Sequence, residues 1–112
     1  MGTAPRRVRT AATFEELRRS GRRVRSGAVS VTWLPGPGGV PPELAFAIGR
    51  PVGTAVVRNR MRRRLRSIFT ELAPELRPGT YLVGARPAAA TLDYGDLRRI
   101  VSTALTELAE RS

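Results

Sequence analysis

Cysteine, histidine and lysine are all absent from this chain of 112 residues. Without cysteine there are no disulfides, no thiolate metal sites and no thiol nucleophile, and a reducing compartment fits. Without histidine the commonest general base is missing. No apolar run approaches the roughly 20 residues of a membrane-spanning helix. Residues 1–25 carry charge but no apolar core of a secretory signal. The first 13 residues are basic, acid-free and contain Thr, which is also the pattern of a transit peptide. The absence of lysine means that all 20 basic residues are arginine. Arginine offers planar, bidentate donors to phosphate. Ala, Gly and Pro are also plentiful, however, and a GC-rich coding bias explains the arginine choice equally well, so it carries no functional weight.

Acids are few in one half only. Residues 1–66 hold 15 arginines and 3 acids (Glu15, Glu16, Glu43), a net of +12, whereas residues 67–112 hold 5 arginines and 6 acids, a net of −1. A positive field confined to the first half points to a polyanionic partner. With 41% hydrophobic residues, the chain is expected to form one globular domain over residues 13–112, preceded by a flexible basic arm over 1–12.

The densest charge is the run Arg58-Asn59-Arg60-Met61-Arg62-Arg63-Arg64-Leu65-Arg66, with six arginines in nine residues and no acid. Val57, Met61, Leu65, Ile68, Phe69 and Leu72 recur through and beyond it in steps of three and four. At about 100° per residue they occupy roughly a third of a helix circumference. The run therefore reads as a helix over about residues 55–73, one face in a core and a broad guanidinium face outside. A merely solvated face usually mixes signs, because like charges one turn apart destabilise a helix. Three readings follow: a nucleic-acid face, a face for an anionic membrane surface or acidic protein, and a solvated face. The helix belongs to an α+β body, and neither a zipper nor a helix-turn-helix pair accompanies it. That favours recognition of RNA shape over probing of a DNA major groove.

Around this helix the chain reads in order. Thr13-Phe14-Glu15-Glu16 has the form of a capping box opening a short helix that stops near Gly21. Arg22, Arg23 and Arg25 form a second basic cluster. Ala28–Leu34 reads as a strand with Val29, Val31 and Trp33 on one face. Pro35-Gly36-Pro37-Gly38-Gly39 is a loop and not a phosphate cradle, since no Gly-Lys-Ser/Thr ending and no helix follow it. Glu43–Ile48 is a second strand, antiparallel to the first, and Thr80–Ala85 a third. Thr91 is placed to cap a last helix, whose apolar stripe is Leu97, Ile100, Val101, Ala104, Leu105 and Leu108. Strands mixed with long helices give an α+β, two-layer α/β sandwich. The acid pairs have structural readings: Glu15 and Glu16 at a cap, Asp93 and Asp96 at a helix dipole, Glu71 and Glu75 on a solvated face. Trp33, Tyr81 and Tyr94 read as core or edge aromatics. Neither a catalytic nor a metal-ligating set of side chains emerges.

Gly53-Thr54-Ala55-Val56-Val57-Arg58-Asn59-Arg60-Met61-Arg62-Arg63-Arg64-Leu65-Arg66 closely resembles the signature of the bacterial ribonuclease P protein subunit, Gly-x-Ala-Val-x-Arg-Asn-Arg-x-(Lys/Arg)-Arg-x-x-Arg. The match is ungapped. It extends to Thr13-Phe14, Arg18–Arg25, Leu44–Gly49 and Tyr81–Pro87.

The resemblance implies a sandwich like the second domain of ribosomal protein S5. Its order would be helix-strand-strand-(strand)-helix-strand-helix, with a left-handed βαβ crossover through the arginine helix. It implies a cytoplasmic ribonucleoprotein in which a catalytic RNA with its magnesium ions removes the 5′ leader of precursor tRNA. No cofactor would be held by protein side chains, and neither membrane nor DNA would be a partner. Arg58, Asn59, Arg60, Arg62, Arg63 and Arg66 would contact the catalytic RNA. Phe14, Arg18, Arg25, Thr32 and Arg50 would line a cleft for the single-stranded leader. An RNA-binding or ribosome-associated structural protein is the alternative that needs only the charge.

The chain departs from the family pattern in three places. Arg18 stands where a second helix aromatic is frequent, Thr32 before Trp33 where a strand aromatic is frequent, and Arg50-Pro51 where a basic pair is usual. Fewer rings mean less base stacking, a contribution of about 1–3 kcal/mol per base. Leader binding would then rest more on phosphate contacts.

Overall fold

The computed structural model describes residues 6–7 and 11–111, with side chains described over 14–110. In chain order the elements are β1 (Arg6–Arg7), α1 (Ala11–Ser20), β2 (Arg22–Ser26), β3 (Val29–Pro35), β4 (Glu43–Ala47), α2 (Ala55–Glu71), β5 (Gly79–Ala85) and α3 (Tyr94–Arg111). Single 3-10 turns cover Arg50–Val52, Ala73–Glu75 and Pro87–Thr91. The strands form one mixed sheet in the order β1-β4-β5-β3-β2. β5 runs antiparallel to β3 and parallel to β4, so β4 is antiparallel to β3, as expected, without pairing with it. The crossover between the parallel neighbours β4 and β5 is α2 itself.

Alternation along the strands divides the sheet into two faces. The row Val24–Val31–Val83–Phe46 and the row Trp33–Tyr81–Leu44 face α2 and α3. Against them pack Met61, Leu65, Ile68 and Phe69 of α2, all but closed to solvent. Leu97, Val101, Ala104, Leu105 and Leu108 of α3 complete this core. Of the stripe expected on α3, only Ile100 is half-buried. Phe69 meets the Tyr81 ring edge-on, with centroids 6.0 Å apart. Trp33 and Tyr81 are buried core aromatics, and Tyr94 sits at the core's edge. This is the two-layer sandwich. Among the described residues α1 alone lies on the sheet's second face, held by the fully buried Leu17, and a concavity opens beside it.

Several local expectations need correction. Residues 22–26 are more than a basic cluster: they form the edge strand β2, joined to β3 by a two-residue turn with Gly27 at φ +57°. That is the position at which a type II′ turn favours glycine. Thr13 is the third residue of α1, inside the helix, so it is not the residue flanking it that a cap requires. Thr91 closes its own 3-10 turn by donating to the Ala88 carbonyl (3.0 Å). Asp93 caps α3 instead, its Oδ1 accepting from the Asp96 N–H at 2.8 Å. Of the expected arm, residues 6–7 pair with Glu43 and Leu44 as β1, residues 11–12 begin α1, and the rest lies outside the described residues.

Glu71 is exposed but does not stand on a plain solvated face. The Tyr94 hydroxyl donates to it at 2.6 Å and Arg98 Nε at 2.8 Å, tying the end of α2 to the start of α3. The Tyr94 hydrogen bond, followed by the Arg98 bond, holds the Glu71 carboxyl below its ordinary range.

The close seat of α1 on the sheet depends on Gly21. Its N–H donates to the Leu17 carbonyl, and a Cβ there would stand 2.5 Å from that oxygen and 2.6 Å from Thr32 Cγ2. Gly21→Ala is therefore expected to lower stability by about 1–3 kcal/mol through overpacking. Urea denaturation reads this out, and a midpoint unchanged from wild type would show that α1 does not sit so close.

Candidate nucleic-acid interface

α2 opens where Thr54 Oγ1 accepts from the Val57 N–H at 3.3 Å. With Met61, Leu65, Ile68 and Phe69 turned into the core, the arginines are forced outward. They do not share one surroundings. Arg60 and Arg63 are exposed on the crest. Arg62 is half-buried, donating to Asn59 Oδ1 (2.9 Å) and reaching the Ile48 carbonyl at 3.4 Å. The Arg66 guanidinium lies 5.2 Å over the Phe46 ring. Arg58 is half-buried on one flank, its Nε shut away from solvent with no protein acceptor. Arg64, on the other flank, donates to the Leu92 carbonyl at 3.2 Å and braces the approach to α3. Arg98 pairs with Glu71 and Arg99 with Asp96, both from α3. The run Arg58–Arg66 contains no acid of its own, so core packing holds the helix against the repulsion among its guanidinium groups.

Of the six residues expected to contact RNA, Asn59, Arg62, Arg63 and Arg66 line one open depression of about 710 Å³ between α1, β4 and α2. Arg58 and Arg60 lie outside it.

A second concavity, of about 410 Å³, opens between α1 and the free face of the sheet. Its floor is narrow-chained: Ser30, Thr32, Ala47, Leu82 and Gly84. Gly84 leaves room for the Ser30 hydroxyl, which would stand 2.7 Å from a Cβ there. Arg18 of α1, Arg23 and Arg25 of β2 and Arg86 after β5 stand around it. Arg23 and Arg25 lie two residues apart on one face of an edge strand, so they are spaced by about 6.6 Å along it.

Of the five residues expected in a leader cleft, the groove gathers Arg18, Arg25 and Thr32. Phe14 opens instead on the depression beside α2, and Arg50, exposed in its 3-10 turn, lines neither. Arg23, Ser30, Gly84 and Arg86 belong to the groove but were not singled out for it from the sequence. For Arg23 the signal is its i, i+2 relation to Arg25. Arg86 enters because its N–H donates to the Ala28 carbonyl at 2.8 Å, bringing the end of β5 beside the β2–β3 turn.

An acid-free guanidinium crest on a core-anchored helix, with an arginine-walled groove on the same small α+β body, has the chemistry of a nucleic-acid-binding protein of the α/β-sandwich class. The family model described as Ribonuclease P matches residues 3–109. The chain is 41% identical over 107 residues to the ribonuclease P protein component of Thermobifida fusca, covering 88% of this chain and 73% of that one. It is 39% identical over 107 residues to that of Symbiobacterium thermophilum, covering 95% and 90%. In fold it is similar to the Staphylococcus aureus RNase P protein (TM-score 0.82, 20% identity, 91% and 94% covered). It is likewise similar to the RNase P protein from Thermotoga maritima (TM-score 0.80, 21% identity, 90% and 96% covered). The chain belongs to the ribonuclease P protein family. It is a protein subunit of the endoribonuclease that matures the 5′ end of tRNA, and its partner is ribonuclease P RNA.

Proposed function

We propose that the α2 crest is the surface that docks on ribonuclease P RNA, and that the groove under α1 holds the single-stranded 5′ leader of precursor tRNA. The observation that carries this reading is the acid-free arginine crest, held outward by a helix whose other face is core. RNA docking relieves the repulsion among guanidinium groups that stand in a run without an acid. Hydrolysis is assigned to the RNA with its magnesium ions: the chain offers neither histidine nor cysteine, and of its described acids Asp93 caps α3, Glu71 ties α2 to α3 and Asp96 pairs with Arg99. The protein's part is to lower the repulsion between two RNA polyanions and to align the leader. The complex is placed in the cytoplasm.

The groove suits a leader read by its backbone. The floor carries two hydroxyls and no ring, while four arginines stand around it. An exposed charge contact contributes roughly 0.7 kcal/mol. Arg23→Ala with Arg25→Ala is thus expected to raise the holoenzyme's KM for a precursor with a long leader by about tenfold. A precursor with a one-nucleotide leader should be cleaved as by wild type. An equal effect on both substrates would take the leader out of this groove.

A further inference from the structure

β2 and β3 set two arginine–hydroxyl pairs on the groove side of the sheet. Their register places Arg25 opposite Ser30 and Arg23 opposite Thr32. Directly opposed residues of an antiparallel pair share a face, with Cβ atoms about 4.5–5.5 Å apart. The second pair follows the first after two residues, about 6.6 Å along the strands. All four side chains line the groove. A donor fork for phosphate and a hydroxyl therefore recur together, in step. A nucleotide chain repeats the matching features, one phosphate and one sugar in every unit. Arginine takes the phosphate without help. The ribose 2′-OH, donor and acceptor at once, is what a serine or threonine hydroxyl complements. Both hydroxyls are within reach: Ser30 and Thr32 are half-buried, and neither is hydrogen-bonded to another protein group among the described residues. Gly84 lies beside Ser30 on β5, and a Cβ there would come within 2.7 Å of Ser30 Oγ. Glycine at that position keeps the hydroxyl uncovered. Thr32 turns its methyl to Gly21, which a Cβ would meet at 2.6 Å. Its stiff χ1 then holds the hydroxyl in one direction. Among the described residues no ring and no carboxamide lines the groove, so a base finds neither a stacking platform nor an amide on its edge there.

We propose that Ser30 and Thr32 read the ribose 2′-hydroxyls of the bound strand, which makes the groove selective for a ribonucleotide leader over a deoxyribonucleotide one. Arg23 and Arg25 hold the phosphates, and the two hydroxyls decide the sugar. The proposal rests on the reading that the groove holds the leader, and it adds the feature of the leader that is recognised.

The test compares two precursor tRNAs with the reconstituted holoenzyme. One carries an all-ribose leader. The other carries 2′-deoxyribose throughout the leader except at the nucleotide beside the scissile bond, which stays ribose so that the cleavage chemistry is untouched. Affinity is read from the concentration dependence of single-turnover cleavage. Two neutral hydrogen bonds correspond to roughly 5- to 150-fold in affinity. The wild-type holoenzyme is expected to prefer the ribose leader within that range, and ribonuclease P RNA without protein to show no such preference. Ser30→Ala/Thr32→Val is expected to bring the ribose leader down to the affinity of the deoxyribose one, each single variant covering part of the way. Equal affinity of the wild type for both leaders would overturn the proposal. So would a preference that survives in the double variant or in the RNA alone. Arg23→Ala/Arg25→Ala, measured alongside, separates the two levels, because it is expected to weaken both leaders by the same factor and keep their ratio. If it weakens both while the wild type shows no preference, only the sugar reading is withdrawn. If it leaves both leaders as in wild type, the leader is not in this groove and both readings fall.

Discussion

Arg60→Ala together with Arg63→Ala is expected to weaken binding to ribonuclease P RNA by on the order of ten- to a hundredfold at low salt, and to flatten the log–log salt slope by about two. Both side chains are exposed on the α2 crest and neither belongs to the buried stripe of Met61, Leu65, Ile68 and Phe69. Alanine is the best helix former, and removing two of six neighbouring guanidinium groups relieves repulsion. The double variant should therefore fold at least as well as wild type, and a binding loss is not a folding loss. The cause is counterion release: each phosphate neutralised by an arginine frees condensed cations, so each arginine removed takes about one unit from the slope. Variant and wild-type affinities should converge as salt rises. Parallel salt lines would mean that the crest meets something other than a phosphate backbone.

Leu65→Ala acts through the other face of the same helix. Leu65 is fully buried between α2 and the sheet, one turn from Met61 and from Phe69. Truncating it leaves a cavity in a close-packed core, at an expected cost of about 2–5 kcal/mol. Against a total stability of about 5–15 kcal/mol, that is a large share. For a domain of this size it corresponds to a fall in Tm of roughly 10–25 °C. Thermal unfolding followed by circular dichroism measures it. A fall of only a few degrees would show that Leu65 does not anchor the crest. The pair of experiments separates the two faces of α2: one set of residues binds, the other holds the binding set outward.

How much of this is legible in the sequence depends on the element. α2 reads out almost to the residue, because its six-member apolar stripe recurs in unbroken steps of three and four; the structure adds the Thr54 cap at its start. β2 does not. Among Arg22, Arg23, Val24, Arg25 and Ser26 only Val24 is apolar and buried, so no alternation of hydrophobicity marks a strand. Its arginines suit an edge strand, where charge discourages pairing with another chain, and the same charge hides it from a hydrophobic reading.

The α3 cap is missed by two residues because Thr91 and Asp93 are both suitable cap types. The choice falls to the 3-10 turn over Pro87–Thr91, which consumes Thr91. Phe14 is the instructive residue at the site. The sequence places it on α1, but which concavity it enters depends on where α1 crosses the sheet, and that is set by the close contact of Gly21 with Thr32. Arg50 is similar: it stands exposed in the 3-10 turn before α2 and lines neither concavity, although it is adjacent to the signature. Arg86 reaches the groove only through the sheet's register, which pairs Val29 with Ala85.

The central claim is a division of labour, with RNA docking by the protein and hydrolysis by the RNA. A precursor-tRNA cleavage assay at low magnesium tests it most directly, run with protein alone, with cognate ribonuclease P RNA alone and with both. The expected result is no cleavage by the protein alone, little by the RNA alone, and release of the leader with a 5′-phosphate on the mature tRNA when the two are combined. Cleavage by RNA-free protein, or failure of the protein to restore processing by the RNA, would contradict it.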